Sequence, residues 1–230
     1  MFVIITGVSR GLGYALANEY LKKGIFVIGI GRNNKISHIN YSFLKCDLSS
    51  WNEVEKLEMD FPASAEYLLI NNAGIIEPIN RISDQESDSS ARILQVNTIA
   101  PIQLIRKMSH FCPENSKLTI LNISSGAGRR ALPSWANYCA SKAALDIFSE
   151  TFQLEEIEKG KLTKIFSLAP GVIDTEMQSI IRASDSEKFS SKDNFLNLKK
   201  ENQLISPKAV AQKIIRNLEY NSFTKVICRL

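Results

Sequence analysis

The chain has 230 residues, 44% of them hydrophobic and 23% charged, with 28 basic against 24 acidic side chains for a net charge of +4. A chain of this length buries roughly 70–75% of its unfolded surface and needs no staples, and this composition excludes a disordered or collagen-like polymer. The mild positive excess is spread too evenly to argue for nucleic acid, and no apolar run approaches the ~20 residues of a membrane span.

The chain opens on an apolar, β-branched run, Phe2–Thr6, too short and too poor in basic residues for a signal peptide. It predicts a strand, followed by a helix over Leu12–Lys23. The alternation then continues. Strands are expected at Phe26–Ile30, Tyr41–Lys45, Tyr67–Asn71, Leu118–Ile123, Thr163–Leu168 and Thr224–Cys228, and helices near Trp51–Met59, Ala91–Met108, Trp135–Lys159 and Pro207–Glu219. Strands that are apolar throughout, most of them followed by a helix, mark a parallel sheet buried on both faces. The expected fold is therefore α/β, a single Rossmann-type doubly wound parallel sheet of about seven strands flanked by helices, in one domain over residues 1–230. Two stretches break the rhythm. Glu77–Ser90 reads as an exposed connection, and the polar Arg182–Gln203 reads as either a solvated insert or a mobile lid.

Cys46, Cys112, Cys139 and Cys228 are scattered with no C-x-x-C pair, as expected of reduced thiols in a cytoplasmic protein. His38 and His110 are too isolated for a zinc site, so no metal is expected.

Between the first strand and first helix lies Thr6-Gly7-Val8-Ser9-Arg10-Gly11-Leu12-Gly13. Glycines let a backbone approach a pyrophosphate, and a helix N-terminus offers it free N–H groups. The spacing is not G-x-G-x-x-G; a G-x-G-x-x-A match at Gly126–Ala131 lacks the strand–turn–helix context and is coincidence. NAD sites place an acidic residue at the end of the second strand. Here that strand runs into Gly31-Arg32-Asn33, and no acidic residue occurs between Tyr20 and Cys46. Arg32 is suited to a forked contact with a 2′-phosphate, with Arg10 as a second cation, so the expected cofactor is NADP(H).

Tyr138 and Lys142 are four apart and share one helix face. A neighbouring ammonium favours the phenolate and is expected to lower the tyrosine pKa toward the working range. Upstream, Ser124 and Ser125 end a strand at the edge where open α/β sheets bind ligands, as does Asn71-Asn72-Ala73-Gly74. Asn97 is a polar residue in an otherwise helical stretch.

These segments together resemble the short-chain dehydrogenase/reductase family over essentially the whole chain: Thr6-Gly7-x-x-x-Gly11-x-Gly13, Cys46-Asp47-Leu48, Asn71-Asn72-Ala73-Gly74, Asn97, Ser125, Tyr138-x-x-x-Lys142 and Pro170-Gly171. The resemblance implies an Asn97–Ser125–Tyr138–Lys142 tetrad, with Ser125 chosen over Ser124 because the family places its serine thirteen positions before the tyrosine. Tyr138 would protonate the carbonyl oxygen, Ser125 would polarise it, Lys142 would tune the tyrosine and bind the nicotinamide ribose, and Asn97 would hold a relay water. Thr6, Gly7, Ser9, Arg10, Gly11, Leu12, Gly13 and Arg32 would meet the phosphates. Asp47 and Leu48 would meet the adenine, Asn71, Ala73 and Gly74 would line the cofactor, and Pro170, Gly171, Val172, Ile173 and Thr175 would close on the nicotinamide and pyrophosphate.

The run Pro170–Gln178 looks like the sepiapterin reductase and benzil reductase branch, which implies reduction of one carbonyl of a vicinal dicarbonyl. Sepiapterin reductases carry an aspartate on the last strand, where this chain has Val226-Ile227-Cys228, so a less polar diketone fits better. Asp174 reads as a helix N-cap, and the stretch around 176–205 as a lid. The resemblance further implies a small-molecule carbonyl substrate and a homodimer or homotetramer. Alternatives sharing the site are oxidation of a secondary alcohol, reduction of a 3-oxoacyl thioester, and a non-catalytic NADP(H)-binding sensor.

Overall fold

A computed structural model describes residues 1–59, 66–113 and 115–230. Seven parallel strands form one sheet in the order β3-β2-β1-β4-β5-β6-β7: β1 (Phe2–Thr6), β2 (Phe26–Gly31), β3 (Tyr41–Lys45), β4 (Glu66–Asn71), β5 (Lys117–Ile123), β6 (Lys164–Ala169) and β7 (Ile227–Arg229). The helices are α1 (Gly11–Lys22), α2 (Trp51–Lys56), α3 (Ser89–Leu94), α4 (Ala100–Phe111), α5 (Ala136–Glu158), α6 (Glu176–Ala183), α7 (Lys192–Lys200) and α8 (Pro207–Glu219).

Side chains of a strand alternate between faces, and here both faces are buried. Val3, Ile5, Leu68, Ile70 and Leu121 pack with Leu12 and Leu16 of α1 and Val210 and Ile214 of α8. Their neighbours Ile4, Ile28, Leu69 and Ile120 pack on the other face with Leu104, Ile105 and Met108 of α4 and Phe152 of α5. This two-sided burial is why the central strands β1, β2 and β4 are apolar over most of their length. Because β1 pairs with both β2 and β4, the chain reverses direction across the sheet at that point. A crevice opens there beyond the strands' carboxyl ends.

Three departures from the sequence expectations concern the site. The helix expected over Ala91–Met108 is three segments, because a π-helical turn at Gln95–Ile99 separates α3 from α4. Such turns re-aim a side chain, here Asn97. The polar stretch Arg182–Gln203 contains α7, and Phe189 within it is fully buried; its few apolar residues were too sparse to show a helical period. The last strand is shorter and later than expected, Ile227–Arg229 in place of Thr224–Cys228, because Ile227, Cys228 and Arg229 pair with Ser167, Leu168 and Ala169. No described helix is long and apolar enough to cross a membrane.

Candidate active site

One cavity of about 670 Å³ runs along the carboxyl edge of the sheet. All seven strands deliver residues to it: Gly7–Leu12 after β1, Gly31–Asn33 after β2, Asp47–Ser49 after β3, Asn72–Glu77 after β4, Ser124–Ala127 after β5, Pro170–Ile173 after β6, and Arg229 on β7.

The glycine turn has a steric reason. Gly7 has φ +74°, and a Cβ there would stand 3.0 Å from the Ala73 Cα; Gly11 has φ +59° and lies against Thr175. Both therefore require glycine. Gly13 packs behind the turn, where a Cβ would stand 2.4 Å from the Gly7 carbonyl oxygen. The Thr6 hydroxyl accepts hydrogen bonds from the Asn72 and Ala73 amides, both at 3.0 Å, and so ties β1 to the loop after β4.

At the far end Arg32, Asp47 and Arg92 line the cavity, both arginines within electrostatic reach of the carboxylate. Burial pushes the Asp47 carboxyl up, but the hydrogen bonds from Ser49, backed by the Arg32 and Arg92 guanidiniums, hold it below its ordinary value. Arg92, on α3, lines the cavity and was not anticipated from the sequence; its only signal was position one turn before Val96, which also lines it. Arg10 forms an ion pair with Glu176 at the start of α6, spanning the cleft from the glycine turn. Asp174 does not cap α6 as expected. Thr175 holds that position, and the Asp174 carboxylate accepts a hydrogen bond from Lys199 of α7 at 2.7 Å.

The structure brings Ser125, Tyr138 and Lys142 into the same cavity wall. Tyr138 and Lys142 lie one turn apart near the start of α5, 7% and 4% exposed. Burial pushes the Tyr138 phenol up to about 12, with the Ser125 hydroxyl hydrogen-bonded to it and pulling the other way. The expected lowering by Lys142 is absent here. Its ammonium donates to the Ile123 carbonyl at 2.8 Å and sits 5.9 Å from the centre of the tyrosine ring. Burial brings Lys142 itself down to about 8, opposed by Asp146. Loss of hydration penalises whichever form is charged, so an acid rises and a base falls.

Asn97 is fully buried behind this wall. Its side chain accepts from the Ile75 amide at 2.9 Å and donates to the Ile75 carbonyl at 2.8 Å and to the Ser141 hydroxyl at 3.0 Å. A Cβ on Gly74 would stand 3.3 Å from the Asn97 Oδ1 and 3.6 Å from the Lys142 Nζ, so the absence of a side chain keeps the gap between them open. Four anticipated residues, Thr6, Gly13, Asn71 and Asn97, are not among those lining the cavity. Asn71 turns inward and donates to Asn122 at 2.8 Å, while Asn72 takes the cavity face. The remaining candidates, Gly7, Ser9, Arg10, Gly11, Leu12, Arg32, Asp47, Leu48, Ala73, Gly74, Pro170, Gly171, Val172, Ile173 and Thr175, all line it.

Beyond Tyr138 the cavity becomes apolar, with Ile76, Leu132, Trp135, Met177, Ile180 and Phe195 in its wall. Trp135 stacks on Phe189 with ring centres 5.2 Å apart, lies 5.3 Å from Phe195, and meets the Tyr138 ring edge-on at 5.6 Å. The segment carrying α6 and α7 thus reaches the tyrosine ring through Trp135. Among the described residues no His/Cys/Asp/Glu group is arranged to hold a metal.

A dinucleotide fits this donor set. The cavity joins a glycine cradle at the N-terminus of α1, which has no side-chain cap, to a cationic end and an apolar end. In comparisons with known proteins, residues 1–186 match the family profile described as short chain dehydrogenase. A benzil reductase of Bacillus cereus, named as (S)-benzoin forming, is 37% identical over 235 residues, covering 94% of this chain and 93% of that protein. An NADPH-dependent pterin aldehyde reductase of Arabidopsis thaliana is 32% identical over 189 residues, covering 76% of each. Among solved structures, the KRED1-Pglu enzyme superposes with a TM-score of 0.79 at 26% identity, covering 94% of this chain and 93% of that one.

Proposed function

The chain belongs to the short-chain dehydrogenase/reductase family and is an oxidoreductase, and from that premise we propose that it reduces a ketone with NADPH, its substrate being one carbonyl of a vicinal dicarbonyl. The observation that carries this reading is the joining, in one cavity, of the Ser125–Tyr138–Lys142 group to a cationic end at Arg32 and an apolar end at Trp135 and Phe195. The names of the benzil reductase and the NADPH-dependent aldehyde reductase point the same way.

When bound, NADPH supplies the hydride. Gly7–Leu12 would hold its pyrophosphate, Arg32 and Arg92 its 2′-phosphate, and Asp47 and Leu48 its adenine. Ser125 donates a hydrogen bond to the substrate oxygen and sets its direction. Tyr138, kept protonated by burial, delivers a proton to that oxygen as charge develops on it. Lys142 holds positive charge beside the site, and its low pKa lets it pass a proton toward the phenol. Asn97 fixes the loop at Ile75, and its Oδ1 would hold a relay water across Gly74. The segment 176–205 acts as a lid whose aromatic side chains exclude water from the reacting carbonyl.

The test is turnover of a panel of 1,2-diketones, a pterin aldehyde and an acetoacetyl thioester with NADPH and with NADH. Diketone reduction with NADPH preferred supports the reading. Folded protein that binds NADPH but reduces no carbonyl overturns it.

A further inference from the structure

Arg129 and Arg229 lie where β7 meets the loop after β5, and Arg130 follows Arg129 in that loop; among the described residues only Arg129 is paired with a carboxylate. Arg129 pairs with Asp146 at 2.9 Å and also donates to main-chain carbonyls at Ser167 and Cys228. Arg130 and Arg229 both line the cavity, and among the described residues neither lies in an ion pair with a carboxylate. Arg229 projects over the site: its Nη2 is 3.4 Å from where a Cβ on Gly126 would stand. Gly126 is the residue immediately after Ser125, so the guanidinium borders the position where Ser125 meets a substrate carbonyl. A Cβ at 126 would be in van der Waals contact with the guanidinium.

A forked cation held against Gly126, next to the carbonyl-orienting Ser125, is suited to a second oxygen on the carbon beside the reacting one. The walls on the other side, Leu132, Trp135, Met177, Ile180 and Phe195, are apolar. Resting on the reductase reading above, we propose that Arg229 is the specificity determinant of this cleft and that it selects 2-oxo acids with a bulky apolar or aromatic substituent, the carboxylate meeting Arg229 with Arg130 at the rim. A 1,2-diketone presents a neutral oxygen at the same place and binds more weakly. In the reaction the oxo carbon gains a hydride from NADPH, its C–O π bond breaks onto oxygen, and that oxygen takes the Tyr138 proton; the products are a 2-hydroxy acid and NADP+.

The experiment compares wild type, Arg229→Met and Arg229→Lys on phenylglyoxylate, 1-phenyl-1,2-propanedione and propiophenone. The expected result is that the ratio of kcat/KM for phenylglyoxylate over propiophenone falls about tenfold or more in Arg229→Met, as befits loss of a charge-assisted hydrogen bond, and is partly kept in Arg229→Lys. An identical ratio in all three proteins overturns the proposal. Circular dichroism checks that the variants fold; should Arg229→Met fail to fold, the proposal stands or falls on whether added salt raises the KM of wild type for phenylglyoxylate selectively. If wild type reduces no carbonyl, calorimetric titration of phenylglyoxylate into the NADP+-loaded protein separates the two claims. Binding lost in Arg229→Met then upholds the anchor while the reductase reading falls, and no binding to wild type overturns both.

Discussion

The Lys142 ammonium lies 5.9 Å from the centre of the Tyr138 ring and donates its hydrogen bond elsewhere, to the Ile123 carbonyl at 2.8 Å. The pair shares one helix face, yet its two pKa values are governed by burial: the phenol stands at about 12 and the ammonium at about 8. The phenol thus stays protonated across the working range while Lys142 is poised between ammonium and amine near pH 8, which suits a proton donor backed by an ammonium that can reload it.

That arrangement leaves a signature in stability. Below about pH 8 the folded protein carries a buried ammonium. Between about 8 and 10.5 the folded state has lost this proton while the unfolded chain still holds it, so stability rises with pH across that window. Tyr138 acts in the opposite sense, but only above its ordinary value of 10.0, where the unfolded chain loses the phenol proton first. The wild type is expected to gain about 3 kcal/mol relative to Lys142→Met between pH 7.5 and 10.5, taken as about 1.4 kcal/mol per pH unit over the Lys142 window. Urea unfolding of both proteins across that range measures the difference. A constant difference would show that Lys142 does not titrate in this way.

Tyr138→Phe keeps the ring that packs edge-on against Trp135 and removes only the hydroxyl. Turnover should fall by about 10²–10⁴-fold, the usual worth of a positioned proton donor, while NADPH binding followed by fluorescence changes little. Comparable loss of both would mean that the phenol serves the fold or the cofactor and not the proton transfer.

Arg32 and Arg92 both act on Asp47 at the cationic end of the cavity, whereas Arg10 is engaged by Glu176. Arg32→Asp should reduce the preference for NADPH over NADH by about tenfold or more, and Arg92→Ala should weaken NADPH binding with little effect on NADH. Dissociation constants for the two cofactors decide it. An unmoved ratio in both variants would remove the arginines from 2′-phosphate recognition.

Gly13 is needed for packing and not for ligand contact. The Cβ of Gly13→Ala would meet the Gly7 carbonyl oxygen at 2.4 Å, backbone against side chain, so the turn or the helix must shift. A loss of about 1–3 kcal/mol is expected, read as a lower Tm, with a wider spacing between β1 and α1 degrading NADPH binding. Unchanged stability would show that the turn yields at no cost.

The sequence alone determined the parallel doubly wound sheet, because strands buried on both faces must be apolar at every position, and such runs punctuated by amphipathic helices admit few other folds. It also disclosed the glycine turn, where positive φ excludes every residue with a Cβ at modest cost, and the single face shared by Tyr138 and Lys142, since helical periodicity is a local property. What only the tertiary structure decided were relations between segments distant in the chain. These include Arg92 reaching Asp47, Glu176 engaging Arg10, Asp174 held by Lys199 in place of capping a helix, and Arg229 arriving beside Ser125 through the register of β7 with β6. The Tyr138 and Lys142 pKa values belong with these, because loss of hydration depends on everything packed around a group and leaves no mark in the spacing of two residues.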